Sequence, residues 1–203
     1  TIAVLAVQGA FIEHEQMLAK LGVSCVELRK KEDLEQDYDG LILPGGESTV
    51  QGKLLKELDM FLVLKKKIEE GLPVLATCAG LILLAEKVEN DERENFKTLP
   101  VTVKRNAYGR QLGSFYTEGE MKGIGTVPMT FIRAPYISNV SDTAIISEPS
   151  YSTVNILAKI EDCIVAVRYK NQLALSFHPE LNKDTRIHEY FIGMVREFLD
   201  CNR

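Results

Sequence analysis

The segment Pro73-Val74-Leu75-Ala76-Thr77-Cys78-Ala79-Gly80-Leu81-Ile82-Leu83-Leu84 joins a short apolar run to a helical one through a turn of small residues. Pro73 to Ala76 reads as a buried strand, and the chain from the turn through Leu84 as the helix that follows it. The same rhythm extends upstream. Ile2-Ala3-Val4-Leu5-Ala6-Val7 is a continuous apolar run, as expected of a strand covered on both faces. A helical pattern follows, with Phe11, Met17, Leu18 and Leu21 on one side and Gly22 as its C-terminal cap. Ser24 to Leu28 and Gly40 to Leu43 add strands, the latter closed by Pro44-Gly45-Gly46, and two helical stretches run from Thr49 to Glu70 before Gly71. Strand alternating with helix predicts an α/β fold: a mostly parallel, doubly wound central sheet with flanking helices.

The second half changes character. Val101 to Lys104, Thr130 to Arg133, Ile156 to Ile160, Ile164 to Tyr169 and Gln172 to Phe177 are short strand candidates separated by turns, with Asn171 a hairpin turn between the last two. Residues 183 to 199 form an amphipathic helix carrying Ile187, Phe191, Met194, Val195 and Phe198, capped by Asn182 or by Lys183-Asp184. No repeat or long linker divides the 203 residues, so one domain is expected.

A net charge of -5 and an isoelectric point near 5.4 argue against a nucleic-acid surface. Ile2 to Val7 is too short for a signal peptide, and no apolar run approaches the ~20 residues that span a bilayer. Cys25, Cys78, Cys163 and Cys201 form no Cys-x-x-Cys pair, so neither a zinc site nor a disulfide framework is expected. A cytoplasmic protein with reduced thiols, without membrane or nucleic-acid partners, is the expectation.

Three segments carry chemistry. In Ala76-Thr77-Cys78-Ala79-Gly80 a sharp strand-to-helix turn pushes the nucleophile above the sheet and leaves room only for small neighbours. The helix that follows aims free N–H groups at the sulfur and at any oxyanion forming beside it. Ser176-Phe177-His178-Pro179-Glu180 offers a base and, two residues on along an extended chain, a carboxylate to orient it. Pro44-Gly45-Gly46-Glu47-Ser48-Thr49 lets backbone N–H groups approach a substrate oxygen, because glycine has no side chain to block them. Each alone has a plain structural reading: a core thiol, a surface or satisfied histidine, an ordinary turn. All three at strand ends, in the order glycine turn, Cys, His-x-Glu, favour catalysis.

Leu43-Pro44-Gly45-Gly46-Glu47-Ser48-Thr49, Thr77-Cys78-Ala79-Gly80-Leu81 and Phe177-His178-Pro179-Glu180-Leu181 together resemble the class I (triad) glutamine amidotransferases. More narrowly, Leu5 to Phe11 with Glu13-His14, Arg105-Asn106-Ala107-Tyr108-Gly109-Arg110-Gln111 and Phe131-Ile132-Arg133-Ala134-Pro135 resemble the glutaminase subunits of pyridoxal 5′-phosphate synthases. The resemblance implies a three-layer, flavodoxin-like fold. It implies a Cys78-His178-Glu180 triad that hydrolyses L-glutamine through a glutamyl thioester. Backbone N–H groups of Gly46 and Ala79 would form the oxyanion hole, each such donor worth ~3 kcal/mol of barrier. By the same analogy Gly46, Glu47, Ser48, Arg105, Ile132 and Arg133 bind glutamine, with arginine suited to the α-carboxylate. No metal or cofactor is implied. The partner implied is a (β/α)₈-barrel synthase subunit that receives the ammonia and, on docking, activates the glutaminase. The flexible glycine pair fits an oxyanion hole that is not preformed.

Two departures stand out: Ala76 where the family usually has Gly, and residues 148 to 160, longer than the usual connection and read as a surface insertion or an extended hairpin. Cys25 and Cys163 are read as small core residues and His188 as facing water, while His14 is assigned to a docking surface over a solvated helix face. The rival readings are a Cys-dependent hydrolase or peptidase of related architecture, which leaves the Gly45-Gly46-Glu47-Ser48 turn and the two arginine motifs unexplained, and a scaffold that has lost its chemistry.

Overall fold

The structure, a computed structural model, describes residues 1–105, 113–141 and 153–201. The first half alternates as expected: β1 (Ile2–Leu5), α1 (Phe11–Lys20), β2 (Cys25–Leu28), β3 (Gly40–Leu43), α2 (Ser48–Glu57), α3 (Phe61–Glu69), β4 (Val74–Thr77) and α4 (Ala79–Leu84). The second half contributes β5 (Ala85–Val88), β6 (Leu99–Lys104), β7 (Ser114–Met121), β8 (Gly125–Ile132), β9 (Tyr136–Val140), β10 (Asn155–Ile160), β11 (Cys163–Tyr169), β12 (Gln172–Leu175) and α5 (Arg186–Cys201).

The sheet runs β2-β1-β3-β4-β12-β11-β9-β6-β5, with β10 paired to β11. Pairing from β2 through β12 is parallel; β11 and β9 turn it antiparallel. β7 and β8 form a separate two-stranded ribbon. Period-two alternation sends each parallel strand's side chains to two cores. Ala3, Leu5, Leu41, Leu43, Val74 and Ala76 face α2, α3 and α4 through Leu55, Phe61, Leu64 and Leu81. Ile2, Val4, Ile42 and Leu75 face α1 and α5 through Leu18, Ile187, Phe191 and Val195. Both faces are therefore covered, and those strands read as unbroken apolar runs for that reason.

Several boundaries differ from expectation. The last helix starts at Arg186, where Asp184 Oδ1 accepts the Arg186 N–H at 3.0 Å, and runs on to Cys201. The strand expected to reach Phe177 ends at Leu175. β5, β7 and β9 were not expected: their sequences AEKV, SFYTEGEM and YISNV are polar because each leaves much of its surface to solvent. Within 148–160, residues 148–152 lie outside the described ones, and Asn155–Ile160 forms a hairpin strand against β11. Cys25 and Cys163 are only partly buried, at the edge of the second core. Among the described residues no helix is long and apolar enough to cross a membrane.

Candidate active site

Cys78 stands between β4 and α4 with φ 46° and ψ −95°, a conformation rare for a residue with a side chain. Its neighbours explain how it fits. A Cβ on Gly80 would lie 2.2 Å from the Leu43 carbonyl oxygen, so only glycine lets α4 start this close to β3. The Ala76 methyl points into the core shared with α2 and α3, and β4 keeps its register with Leu43 and Ala174 on either side. The extra methyl therefore sits below the turn instead of narrowing it.

β12 delivers His178, whose N–H donates to Thr130 O of β8 at 2.8 Å. Glu180 reaches it through a 3-10 turn at Pro179–Leu181, not along an extended chain; Pro179, with its fixed φ and no N–H, starts that turn. His178 Nδ1 lies 2.7 Å from Glu180 Oε1, which leaves Nε2 for the Cys78 thiol. Burial works to lower the His178 pKa, but hydrogen bonds with Cys78 and Glu180 outweigh it and push the value up to about 10. Burial also pushes the Glu180 carboxyl up; the His14 ring and the hydrogen bond from His178 more than offset this and hold it below the usual range.

The glycine turn closes the third side. A Cβ on Gly45 would come within 2.2 Å of the His178 ring, so the ring packs directly against backbone there. The Gly45 N–H donates to Thr77 Oγ1 at 2.9 Å and the Glu47 N–H to Gln8 Oε1 at 2.9 Å, pinning the turn on both sides of Gly46. Gly45 O accepts the Ala10 N–H at 2.9 Å. In a trans peptide the N–H opposes the C=O, so the Gly46 N–H points away from Ala10, and turning that peptide over would break the bond to Ala10.

A cavity above Cys78 is lined by Gly46, Glu47, Ser48, Arg105, Ile132, Arg133 and His178, together with Gln8 and Ile82. Cys78 Sγ lies 4.0 Å from Ile132 O. Arg133 holds φ 43°, a second strained backbone at the cavity wall. Arg105 is ion-paired: Nη1 lies 3.0 Å from Asp91 Oδ2 and Nη2 3.2 Å from Glu47 Oε1. Arg93 and then Arg105 hold the Asp91 carboxyl at about 2. Ala79 is buried at the elbow and Glu180 behind His178, so neither side chain lines the cavity. Residues 106–111 of the arginine motif lie outside the described residues.

Two assignments are corrected. His14 and His188 are both 0% exposed, neither docking surface nor solvated face. Each falls on the inner stripe of its helix: His14 stands three and four residues before Met17 and Leu18, and His188 three and seven before Phe191 and Val195. That spacing was the signal that could have placed them. Gln8, Thr77 and Asp91 were also missed; their roles depend on contacts across the fold that no local pattern announces.

Comparison with known proteins identifies the family and agrees with the fold. The model of the SNO glutamine amidotransferase family matches residues 4–197. A pyridoxal 5′-phosphate synthase subunit PdxT from Desulfitobacterium hafniense (strain Y51) is 63% identical over 196 residues, covering 97% of this chain and 94% of that protein. PdxT from Streptococcus pneumoniae (strain ATCC 700669 / Spain 23F-1) is 52% identical over 199 residues, covering 97% and 98%. A crystal structure of a glutamine amidotransferase superposes with a TM-score of 0.86 at 41% identity, covering 96% of this chain and 98% of that one. With its elbow cysteine, buried His-Glu pair and glycine turn, this chain belongs to the SNO glutamine amidotransferase family.

Proposed function

We propose that this chain is the glutaminase subunit of a pyridoxal 5′-phosphate synthase, acting as one amidotransferase domain. The observation that carries the chemistry is the buried Cys78-His178-Glu180 arrangement opening on a cavity with two arginines. The Cys78 sulfur, its proton passed to His178, attacks the side-chain amide carbon of L-glutamine. The C–N bond breaks as His178 gives its proton to the departing nitrogen, which leaves as ammonia. Water then attacks the glutamyl thioester, His178 taking its proton; the C–S bond breaks, glutamate leaves, and His178 returns the proton to the Cys78 sulfur. N–H groups of Gly46 and Ala79 hold the oxyanion, while Arg105 and Arg133 supply positive charge for the α-carboxylate and Glu47 and Ser48 polar contacts for the α-ammonium. Ile132 bounds the cavity.

The names borne by the similar PdxT proteins support the assignment to vitamin B6 synthesis, with a synthase subunit as partner. We assign that partner the (β/α)₈-barrel architecture and the cytoplasm as the site of action; no disulfide forms among the described residues, which include all four cysteines.

A glutamine-mimicking alkylator tests the substrate. Selective labelling of Cys78 over Cys25, Cys163 and Cys201, slowed by free glutamine, is the expected result. Even labelling of all four without protection would favour a scaffold, and labelling of Cys78 that peptides but not glutamine slow would favour a peptidase.

A further inference from the structure

Behind the triad, away from the cavity, lies a buried polar chain that the hydrolysis just described does not use. Glu180 gives Oε1 to His178, and its Oε2, also buried, makes no hydrogen bond among the described residues. His14 of α1 places Nε2 3.5 Å from that oxygen and 3.3 Å from Thr77 Oγ1. Its Nδ1 lies 2.9 Å from Nε2 of His188 on α5.

One placement of the ring protons suits these contacts. With the proton on His14 Nδ1, the bare Nε2 would turn a lone pair on a buried carboxylate oxygen. His188 would then carry an N–H at Nδ1, a buried atom without a partner. With the proton on His14 Nε2, that N–H donates to Thr77 Oγ1 and presents its positive end to Glu180 Oε2. His14 Nδ1 then accepts from His188 Nε2–H, and the atom left over is a bare ring acceptor. Burial favours neutral rings, lowering His14 against the pull of Glu180 and lowering His188 further. Glu13 and His178 are the other charged groups acting on His14, and Lys20 acts on His188.

We propose that His14, backed by His188, is a positioning residue of the glutaminase site: its Nε2–H stabilises the free oxygen of Glu180 and braces the Thr77 hydroxyl that holds the glycine turn. Thr77 Oγ1 accepts the Gly45 N–H, so one ring ties the carboxylate that orients His178 to the loop that carries Gly46. Such a group acts on the transition state more than on glutamine binding. The inference rests on the glutaminase reading.

The test is steady-state glutamate release in the presence of the cognate synthase subunit. His14→Met keeps the bulk and removes both nitrogens; it is expected to lower kcat about 10- to 100-fold, the range for groups that orient a reacting one, with KM for glutamine little changed. His14→Gln places an amide N–H near the position of Nε2 and is expected to recover most of the loss. Ring-nitrogen NMR of the wild type, which needs no variant to fold, is expected to show neutral rings protonated at Nε2 in His14 and His188. Wild-type kcat in His14→Met, an equal loss in His14→Gln, or a proton on His14 Nδ1 would each overturn the proposal. Wild-type protein that releases no glutamate would instead overturn the glutaminase reading.

Discussion

Cys78 carries its strain where the proposed chemistry begins: its positive φ lifts the sulfur out of β4 and into the cavity. Holding such a conformation costs of order 1–3 kcal/mol, which glycine would relieve. Denaturant unfolding should therefore find Cys78→Gly more stable than Cys78→Ala by about 1 kcal/mol, although both lack the nucleophile. Equal stabilities would mean that the elbow stores no strain. His178 gives the pH dependence. Its folded pKa of about 10 stands above the ordinary histidine value of 6.5, so its contribution to stability is complete below 6.5 and is lost as pH rises through 10. The leaving nitrogen needs the same proton, so glutamine hydrolysis should hold through neutral pH and fall on the alkaline side near 10. A fall centred near 6.5 would contradict the ion pair. The His-x-Glu spacing made this pair legible in the sequence. His14 carried a signal, the stripe it shares with Met17 and Leu18, but the flanking charges of Glu13 and Glu15 mask it until α1 is set against β1 and the turn at Pro179–Leu181.

At the scale of elements, the candidate active site is the meeting of three strand ends, those of β3, β4 and β12, adjacent in one parallel block. Ligands of open α/β sheets bind outside the carboxyl ends of their strands, where these turns fall. The apolar runs and glycine stops made this half readable, since strands covered on both faces show no alternation to misread. The β7–β8 ribbon was half hidden. Val127, Met129 and Phe131 turn inward on β8, whereas β7 shows the solvent Tyr116 and two acidic residues. Its placement matters because β8 fixes His178 and ends in Ile132 at the cavity. α4 depends on Gly80. Gly80→Ala must move β3 or α4 to relieve a 2.2 Å contact with backbone, and overpacking of this kind costs about 1–3 kcal/mol. Thermal unfolding should show the loss, with activity falling further than stability because Cys78 moves too. A variant with wild-type melting and turnover would show that the elbow has slack.

The molecule as a whole sets a small-molecule cavity at the strand ends of a sheet whose parallel strands are covered on both faces. The net charge of -5 left room for an enzyme, the three motifs at strand ends pointed to a cysteine nucleophile with a His-Glu pair, and the family resemblance made the reaction amide hydrolysis. The subfamily rests on the arginine motifs, one of which runs outside the described residues, and on PdxT proteins 52% to 63% identical. Gly45 O, held by Ala10, ties the orientation of the Gly46 peptide to the start of α1, so a shift of α1 would reach the Gly45-Gly46 turn directly. The measurement that bears most directly on the central claim is glutamate release from glutamine by wild type and Cys78→Ala, each with and without a cognate pyridoxal 5′-phosphate synthase subunit. Release that rises when the synthase is added and disappears in Cys78→Ala is the predicted result; folded wild-type protein that releases no glutamate even with its verified partner would contradict it.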